Sequence, residues 1–165
     1  MIARIVKGLL ALVFLIVVGI AGLFVVARFH DGPLALIPGG PLVAGELVTT
    51  PVADWSFAKD VQEVEMQLAY ENSSRTTWIL VKDGAAYIPC SLDFPPGKRW
   101  YKDAAQDGRA TLRIEGRRYP VRLTKTDDPA LAERMRVEVQ RKYGRVPPGE
   151  SGVWIFQIDS RSAES

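Results

Sequence analysis

The first 29 residues of the chain are dominated by a continuous apolar run. Residues 8–27 are twenty positions without a charge, between Lys7 and Arg28. A helix rises about 1.5 Å per residue, so this run covers about 30 Å, the thickness of the hydrocarbon core of a bilayer. We therefore expect residues 1–29 to form a single N-terminal transmembrane helix whose partner is the lipid bilayer. A cleaved signal peptide is the alternative, although its apolar core is usually shorter, about 7–15 residues.

The charges on the two sides of this run are unequal. Arg4, Lys7 and the terminal amine precede it, whereas only Arg28 follows closely. Because cations favour the cytoplasmic side of a membrane span, we expect the N-terminus inside and the remaining chain on the extracytoplasmic side. The protein would then be a single-pass membrane protein.

Residues 30–54 carry neither a helical nor an alternating period and are rich in Gly and Pro, which is typical of an extended connector. Apolar residues are too frequent in it for a free linker, so we expect it to pack along the membrane surface or along the following domain. His30 lies where the span ends and is expected to be an interfacial side chain rather than a ligand.

From Trp55 onward, apolar and polar residues alternate at period two between turn signals, which is typical of an antiparallel sheet. We predict a β domain over residues 55–160 and a disordered tail over residues 161–165. The first strand lies within residues 62–70, and its polar face, with Glu63 and Glu65, is expected to face solvent. Its apolar face carries Val64, Met66, Leu68 and Tyr70.

The first of two hairpins is marked by an Asp-Gly pair at residues 83–84, because both residue types tolerate the positive φ of a two-residue turn. Such a turn places Leu80 opposite Tyr87 and Thr77 opposite Cys90. Cys90 is then expected to be buried and unreactive rather than a nucleophile.

The second hairpin turns at residues 115–116 and joins two segments rich in arginine. Counting outward from a two-residue turn places Arg113 opposite Arg118 and Arg109 opposite Arg122. Like charges that face each other destabilise a sheet unless an anion lies beside them. Three explanations stay open: a charge ladder with Glu63 and Glu65, a bound phosphate or other polyanion, and plain solvation.

Two short helices and a final strand complete the predicted domain. One helix begins near Lys98 and ends before Gly108. For the other, Asp128 followed by Pro129 is a typical N-cap and first helical position, and Gly144 is a typical end. Residues 153–158 are expected to form a buried strand.

Composition excludes several classes of function. The chain has one Cys and one His, so neither an intrachain disulfide nor a zinc site of ordinary Cys and His ligands is available. A Ser-His-Asp or Cys-His centre would have to use His30. After Arg28 the chain holds 18 Lys and Arg against 19 Asp and Glu, a balance that argues against a dedicated nucleic-acid-binding protein.

The order of motifs in the β domain is similar to that of a known family. Residues 75–77 (Arg-Thr-Thr) precede the first hairpin, residues 98–101 (Lys-Arg-Trp-Tyr) follow it, and residues 107–113 and 118–122 form the second hairpin. In this order, residues 61–158 resemble the split β-barrel proteins related to pyridoxamine-phosphate oxidase, and they are most similar to the deazaflavin-dependent nitroreductase family. The resemblance implies a mainly β fold: an antiparallel split β-barrel with one or two short helices behind the transmembrane helix.

The resemblance also implies a binding site. Its members are often homodimers that hold a flavin or deazaflavin in a groove beside the barrel. The residues that it assigns to cofactor binding are Arg75, Thr76, Thr77, Lys98, Arg99 and Trp100. The first three would contact phosphate or the ring edge, and the last three would border the groove. The alternative is that Trp100 caps the barrel core and that Arg75 is a surface strand residue.

Two functions follow from these expectations. The first is a membrane-anchored oxidoreductase that uses deazaflavin or FMN to reduce a small acceptor such as a quinone or a nitro compound. The cofactor would then carry the chemistry, and no side chain would be a covalent catalyst. The second is a non-enzymatic binding or structural module of the cell envelope, built on the same barrel without a cofactor.

Overall fold

The computed structural model describes residues 2–144 and 152–162. Helix α1 spans Ile2–Phe29, and among its described side chains only that of Ala27 is buried. The segment Arg4–Phe29 is long and apolar enough to cross a membrane, a property that signal sequences share. Of the predicted tail, residues 163–165 lie outside the described residues, and Arg161 donates its backbone N–H to the carbonyl of Pro120.

A curved, mostly antiparallel sheet forms the domain. Its strands are β1 (Glu46–Leu47), β2 (Glu63–Leu68), β3 (Ser74–Trp78), β4 (Leu80–Lys82), β5 (Ala85–Ser91), β6 (Arg109–Ile114), β7 (Arg117–Lys125) and β8 (Val153–Ser160). The helices that follow α1 are a 3-10 turn (Ser56–Ala58), α2 (Trp100–Gln106) and α3 (Pro129–Tyr143). The strand order is β3-β2-β6-β7-β8-β5-β4, and β1 pairs in parallel with β7. The predicted fold class, a mainly β split barrel with short helices and a preceding apolar helix, is confirmed.

The sheet closes on itself through one bent segment of chain. Only Ile79 separates β3 from β4, yet β3 pairs with β2 at one end of the strand order and β4 pairs with β5 at the other. The barrel is therefore joined at Ile79. Because no ladder links β3 to β5 within the described residues, the barrel is split along the rest of β3.

Two apolar clusters hold the sheet. The larger fills the barrel and includes Met66 and Phe156, which are fully buried. The smaller lies between the sheet and α3, around Met135 and Val139. Burying side chains of this size stabilises the fold by about 1.5–3 kcal/mol each. Tyr70, which the alternation placed on the buried face, lies beyond the end of β2 and is exposed.

The second hairpin has the predicted register. The pairs run over all of β6, with Arg113 opposite Arg118 and Arg109 opposite Arg122. The two turn residues, Glu115 and Gly116, have φ of 49° and 78°. A turn of this kind fixes which residues face each other, because its twist matches that of the strands it joins.

The first hairpin has the predicted register only near its turn. Leu80 lies opposite Tyr87, as expected. The expected pair of Thr77 and Cys90 does not form, since Thr77 pairs with Val64 of β2. The local turn was predicted correctly, but the chain bends at the end of β3 and takes a new partner there.

Helix α3 is capped as predicted, and its last turn fixes this bend. The Asp128 carboxylate accepts an N–H of the first turn at 2.8 Å, and Gly144 ends the helix with a φ of 67°. The ring of Tyr143 stacks on Trp78 with 4.1 Å between ring centroids. The Tyr143 hydroxyl lies 2.7 Å from the carbonyl oxygen of Ile79. Trp78 is thereby held at the open side of β3.

The connector, residues 30–54, packs across the barrel. Gly39 and Ser74 of β3 exchange two backbone hydrogen bonds of 3.0 and 3.2 Å. The N–H of Leu42 then donates to the Gln67 side chain of β2 at 2.8 Å, and β1 continues to β7. The segment therefore crosses four neighbouring strands and is not a free linker.

Two of the four facing arginines of the second hairpin are bound by β2 and by the connector. Arg113 donates to Glu65 and, at 2.9 Å, to Asp31. Arg118 donates to two carbonyl groups of the connector at 3.1 and 3.2 Å. The predicted ladder is thus present through Glu65, while Glu63 makes no hydrogen bond or ion pair to either arginine. The contribution of Asp31 was not predicted.

Candidate functional site

A cleft lies in the split between β3 and the segment that follows β5. Its volume is about 370 Å³, within the range of about 300–1,000 Å³ that is usual for ligand pockets. β3 forms one wall, and the end of β5 with the loop before α2 forms the other. The connector adds Leu36 at the rim. The cleft therefore exists because β3 leaves β5 and pairs with β2.

Four of the six predicted site residues line this cleft: Thr76, Thr77, Lys98 and Trp100. Arg75 and Arg99 lie outside its wall. The Arg75 side chain is 19% exposed and bonded to Glu71, and its guanidinium carbon lies 5.9 Å from the centre of the Trp100 ring. Arg99 is exposed and directly precedes α2.

Trp100 belongs to the barrel core and to the cleft. It is 7% exposed, and its ring centroid lies 5.6 Å from that of Phe156 in the core. The two roles that the sequence left open for Trp100 are therefore compatible. The alternative role of Arg75 as a surface residue is wrong, because its side chain is mostly buried.

Among the residues that line the cleft, Lys98 is the one cation, and Glu63 of β2 is the one carboxylate. Lys98 donates to the backbone carbonyl of Phe94. Burial lowers the pKa of Lys98, and the neighbouring Cys90 and Asp93 offset only part of that effect. A lowered lysine pKa means that the fold disfavours the charged form, so an anion in the cleft would stabilise the ammonium group that burial destabilises.

Two further groups beside the cleft are shaped by burial. Burial raises the pKa of Cys90 to about 11, so folding favours the protonated thiol over the reactive thiolate near neutral pH. Burial also lowers the pKa of Arg75, which Glu71 opposes. Arg75 Nε is buried without a hydrogen-bond partner among the described residues.

β3 turns one backbone edge toward the cleft. Ser74 uses this edge to pair with Gly39, and alternate residues of an antiparallel strand point the same way, so Thr76 directs its N–H and C=O there. The Thr76 hydroxyl donates to the carbonyl of Ala35 at 2.8 Å and fastens the connector to the wall. The Thr77 hydroxyl makes no hydrogen bond to a described residue and remains a donor for a ligand.

Sequence reasoning missed several residues of the cleft. Leu36 comes from the connector, Trp78 from the end of β3, and Phe94 from the loop before α2. The only signal for Phe94 was its position beside two prolines in the loop before Lys98. Nothing local to Leu36 indicates that the connector returns to β3.

The residues of the cleft fit a planar ring and a single anionic group. Phe94 and Trp100 supply aromatic surface, and the edge of β3 supplies N–H and C=O groups for a heterocycle. Lys98 and the hydroxyl of Thr77 are suited to one phosphate. With one cation, Lys98, and one carboxylate, Glu63, in its lining, the cleft fits the single phosphate of a mononucleotide such as FMN better than a diphosphate.

Two larger cavities are less suited to such a ligand. One, of about 480 Å³, is lined by Asp54, Asp83 and Asp159 and by no Lys or Arg. The other, of about 460 Å³, lies between α3 and the first hairpin. Lys82, paired with Glu138 at 3.1 Å, and Arg134 line it, but neither Trp nor Phe does. Within residues 2–144 and 152–162, no cluster of three or more His, Cys, Asp or Glu is arranged to hold a metal ion.

Comparison with known proteins gives a likeness of fold. No family model and no curated protein matches the chain. Among solved structures, the chain is similar to a Listeria innocua protein provisionally described as a pyridoxamine 5′-phosphate oxidase, with 11% sequence identity and a TM-score of 0.49. The superposition covers 67% of this chain and 94% of the other.

Proposed function

We propose that this protein is a membrane-anchored flavin-binding oxidoreductase of the split-barrel type. In this proposal α1 spans the bilayer, and the cleft beside β3 holds FMN or a deazaflavin. The single observation that carries the proposal is the meeting of Thr77, Lys98 and Trp100 in one cleft. They supply a hydroxyl donor, a cation and a ring wall, from two segments about twenty residues apart in the chain.

The charge state of the cleft supports an anionic ligand. Lys98 has a backbone carbonyl as its hydrogen-bond acceptor, and burial lowers its pKa. A phosphate beside Lys98 would add opposite charge to that of Cys90 and Asp93, which offsets only part of the effect of burial. The deazaflavin and FMN alternatives differ here, since one compact phosphate matches the single cation more closely than a longer charged tail does.

The side chains of the cleft act by binding and orienting. A flavin bound in its reduced form would supply a hydride to a small acceptor such as a quinone or a nitro compound and would itself be oxidised. Trp100 and Phe94 would exclude water from the bound ring, and the backbone of Thr76 would offer it hydrogen bonds. Cys90 keeps its proton, because burial raises its pKa to about 11, and it takes no covalent part.

The orientation of the anchor belongs to the same proposal. The cations before the apolar run favour the N-terminus inside, which puts the barrel on the extracytoplasmic face. A reporter fused to the C-terminus tests this directly. Alkaline phosphatase activity of the fusion supports the assignment, and fluorescence of a fusion that matures only in the cytoplasm contradicts it.

The test of ligand binding uses the full chain in detergent. FMN is titrated against it and followed by quenching of flavin fluorescence, and the deazaflavin is titrated in the same way. We expect saturable binding that Lys98→Met weakens about tenfold, the loss of one charge-assisted hydrogen bond. Arg99→Met is the matched control, because it removes the neighbouring cation outside the cleft and should leave binding unchanged. Absence of binding by either compound would overturn the proposal.

A second function is favoured by a separate observation. Arg75, one of the cations assigned to the cofactor, is bonded to Glu71 and lies outside the wall of the cleft. This arrangement suits a non-enzymatic envelope module whose cleft binds a small anionic molecule without redox chemistry. The two functions separate when the flavin-loaded chain is reduced with dithionite and mixed with a soluble quinone. Reoxidation faster than that of free FMN supports the enzyme, and an equal rate supports the binding module.

A further inference from the structure

We propose that the barrel makes a second contact with the bilayer through the rim of its cleft, beside the span formed by α1. The rim consists of Leu36 and the loop 94–96 before α2. Leu36 lies in the tight turn of the connector that the bridge between Leu34 and Ile37 closes. Its partner is the surface of a bilayer that contains anionic lipid. This inference rests on the proposed anchoring by α1, and it adds a face of the barrel that lies in the headgroup layer.

The end of α1 contacts the barrel and the connector directly. Ala27 is fully buried, and Arg28 donates to the carbonyl of Asn72 in the turn between β2 and β3. The N–H of Gly40 donates to the carbonyl of His30 at 2.9 Å. The end of the helix is therefore in direct contact with the barrel and with the connector, and the position of the barrel relative to the membrane follows from that of the helix.

A short path of contacts leads from this joint to the cleft. The hydroxyl of Ser74 donates to the carbonyl of Gly40 at 2.6 Å. Thr76 lies two residues further along β3, about 7 Å at the usual strand rise, and its hydroxyl holds the carbonyl of Ala35. Leu36 follows directly. Each headgroup layer adds about 5–8 Å to the hydrocarbon core, a thickness comparable to this step along β3.

The composition of the rim suits a lipid interface. Phe29, at the end of α1, is 85% exposed, and Leu36 and Phe94, at the mouth of the cleft, are 78% and 47% exposed. The loop from Phe94 continues into Lys98 and Arg99. Apolar side chains beside Lys and Arg are typical of surfaces that dip into anionic headgroups. A second copy of the chain would also cover apolar residues, but it would not explain why they follow the membrane helix.

The test places a nitroxide spin label at single positions of the full chain in vesicles of phosphatidylcholine and phosphatidylglycerol. Leu36→Cys and Phe94→Cys report the rim, and Leu15→Cys in the middle of α1 reports the span. Val137→Cys is the matched control, because Val137 is an exposed apolar residue on α3, in a cavity distinct from the cleft. The native Cys90 is buried with a raised pKa, so it reacts slowly with the label.

Collision rates with oxygen and with a water-soluble nickel chelate measure depth. We expect the labels at residues 36 and 94 to favour oxygen over nickel several-fold relative to residue 137. If they match residue 137 while residue 15 lies in lipid, the rim proposal is overturned and the anchor stands. Low rates with both reagents at the rim would mean a protein contact, which overturns the proposal in favour of a second copy. An aqueous signal at residue 15 would reject the anchoring itself.

Discussion

Two partly buried cations of this barrel have opposite surroundings. Arg113, on the flank crossed by the connector, has a side chain that is 12% exposed and donates to Glu65 and Asp31. The hydrogen bond to Glu65 is the main reason that its pKa is raised. Lys98, in the cleft, has a backbone carbonyl as its acceptor, and burial lowers its pKa.

This difference in pKa shift distinguishes a cation that stabilises the fold from a cation that is suited to bind a ligand. A raised pKa of a basic group means that folding stabilises its charge, whereas a lowered pKa means that folding disfavours that charge. Arg113 therefore contributes to stability through its ion pairs. Lys98 carries a cost of burial that an anion in the cleft would offset.

The largest effect is expected for Arg113→Met. It leaves Glu65 and Asp31 without their cation in a partly buried site, so the free energy of unfolding should fall by about 2–4 kcal/mol. Chemical denaturation of the full chain in detergent measures this. Arg122→Met is the matched control, since Arg122 lies on the same hairpin in an exposed position, and it should change stability by less than about 0.5 kcal/mol. Equal effects of the two substitutions would show that Arg113 does not hold the connector.

An intermediate, pH-dependent effect is expected for Asp31→Asn. Burial acts to raise the pKa of Asp31, but the N–H groups of Val43 and Ala44, together with Arg113, outweigh it and lower the pKa. A carboxylate with a lowered folded pKa contributes stability above its unfolded pKa and loses it as the pH falls through the folded pKa.

The measurement is the free energy of unfolding between about pH 6 and pH 2, a range that spans the carboxylate titration. At pH 6 the Asp31→Asn chain should be less stable by about 1 kcal/mol, since the group is partly exposed. The difference should shrink toward pH 2, because the wild-type carboxyl group then takes up its proton. A difference that stays constant over this range would exclude an ionised Asp31 as the anchor of the connector.

The smallest effect on stability, with the reverse sign, is expected for Lys98→Met in the absence of ligand. The substitution keeps the apolar part of the side chain and removes a charge that the fold disfavours, so stability should rise by up to about 0.5 kcal/mol. Thermal unfolding without and with FMN checks this, because the stabilisation by FMN should be smaller in the variant. A loss of stability comparable to that of Arg113→Met would place Lys98 among the structural cations.

Features set by neighbouring residues could be predicted from the sequence. The register of the second hairpin follows from the two residues at its turn, and the limits of α3 follow from Asp128 and Gly144. The signals and the structures that they specify lie within a few residues of each other. For the same reason, Leu80 and Tyr87 were placed correctly beside their turn.

Features set by distant contacts could not be predicted. Asp31 reaches Arg113 across 82 positions of chain, and no local pattern indicates that pair. The exchange of partners at Ile79, which opens the cleft, depends on the last turn of α3. Thr77 and Lys98 were found through a family resemblance rather than through spacing, and Arg75 lies outside the cleft because Glu71 binds its guanidinium group.

The joint at Gly40 has a mechanical consequence. A Cβ at residue 40 would lie 2.7 Å from the carbonyl oxygen of His30 and 2.9 Å from that of Arg28, which is closer than real Cβ atoms approach other atoms. The backbone of the connector therefore contacts the end of α1 directly. This contact couples the orientation of the barrel to that of α1. Adding a single residue to α1 would rotate the attachment by about 100° and shift it by about 1.5 Å. The direction in which the cleft faces therefore depends on the length of α1.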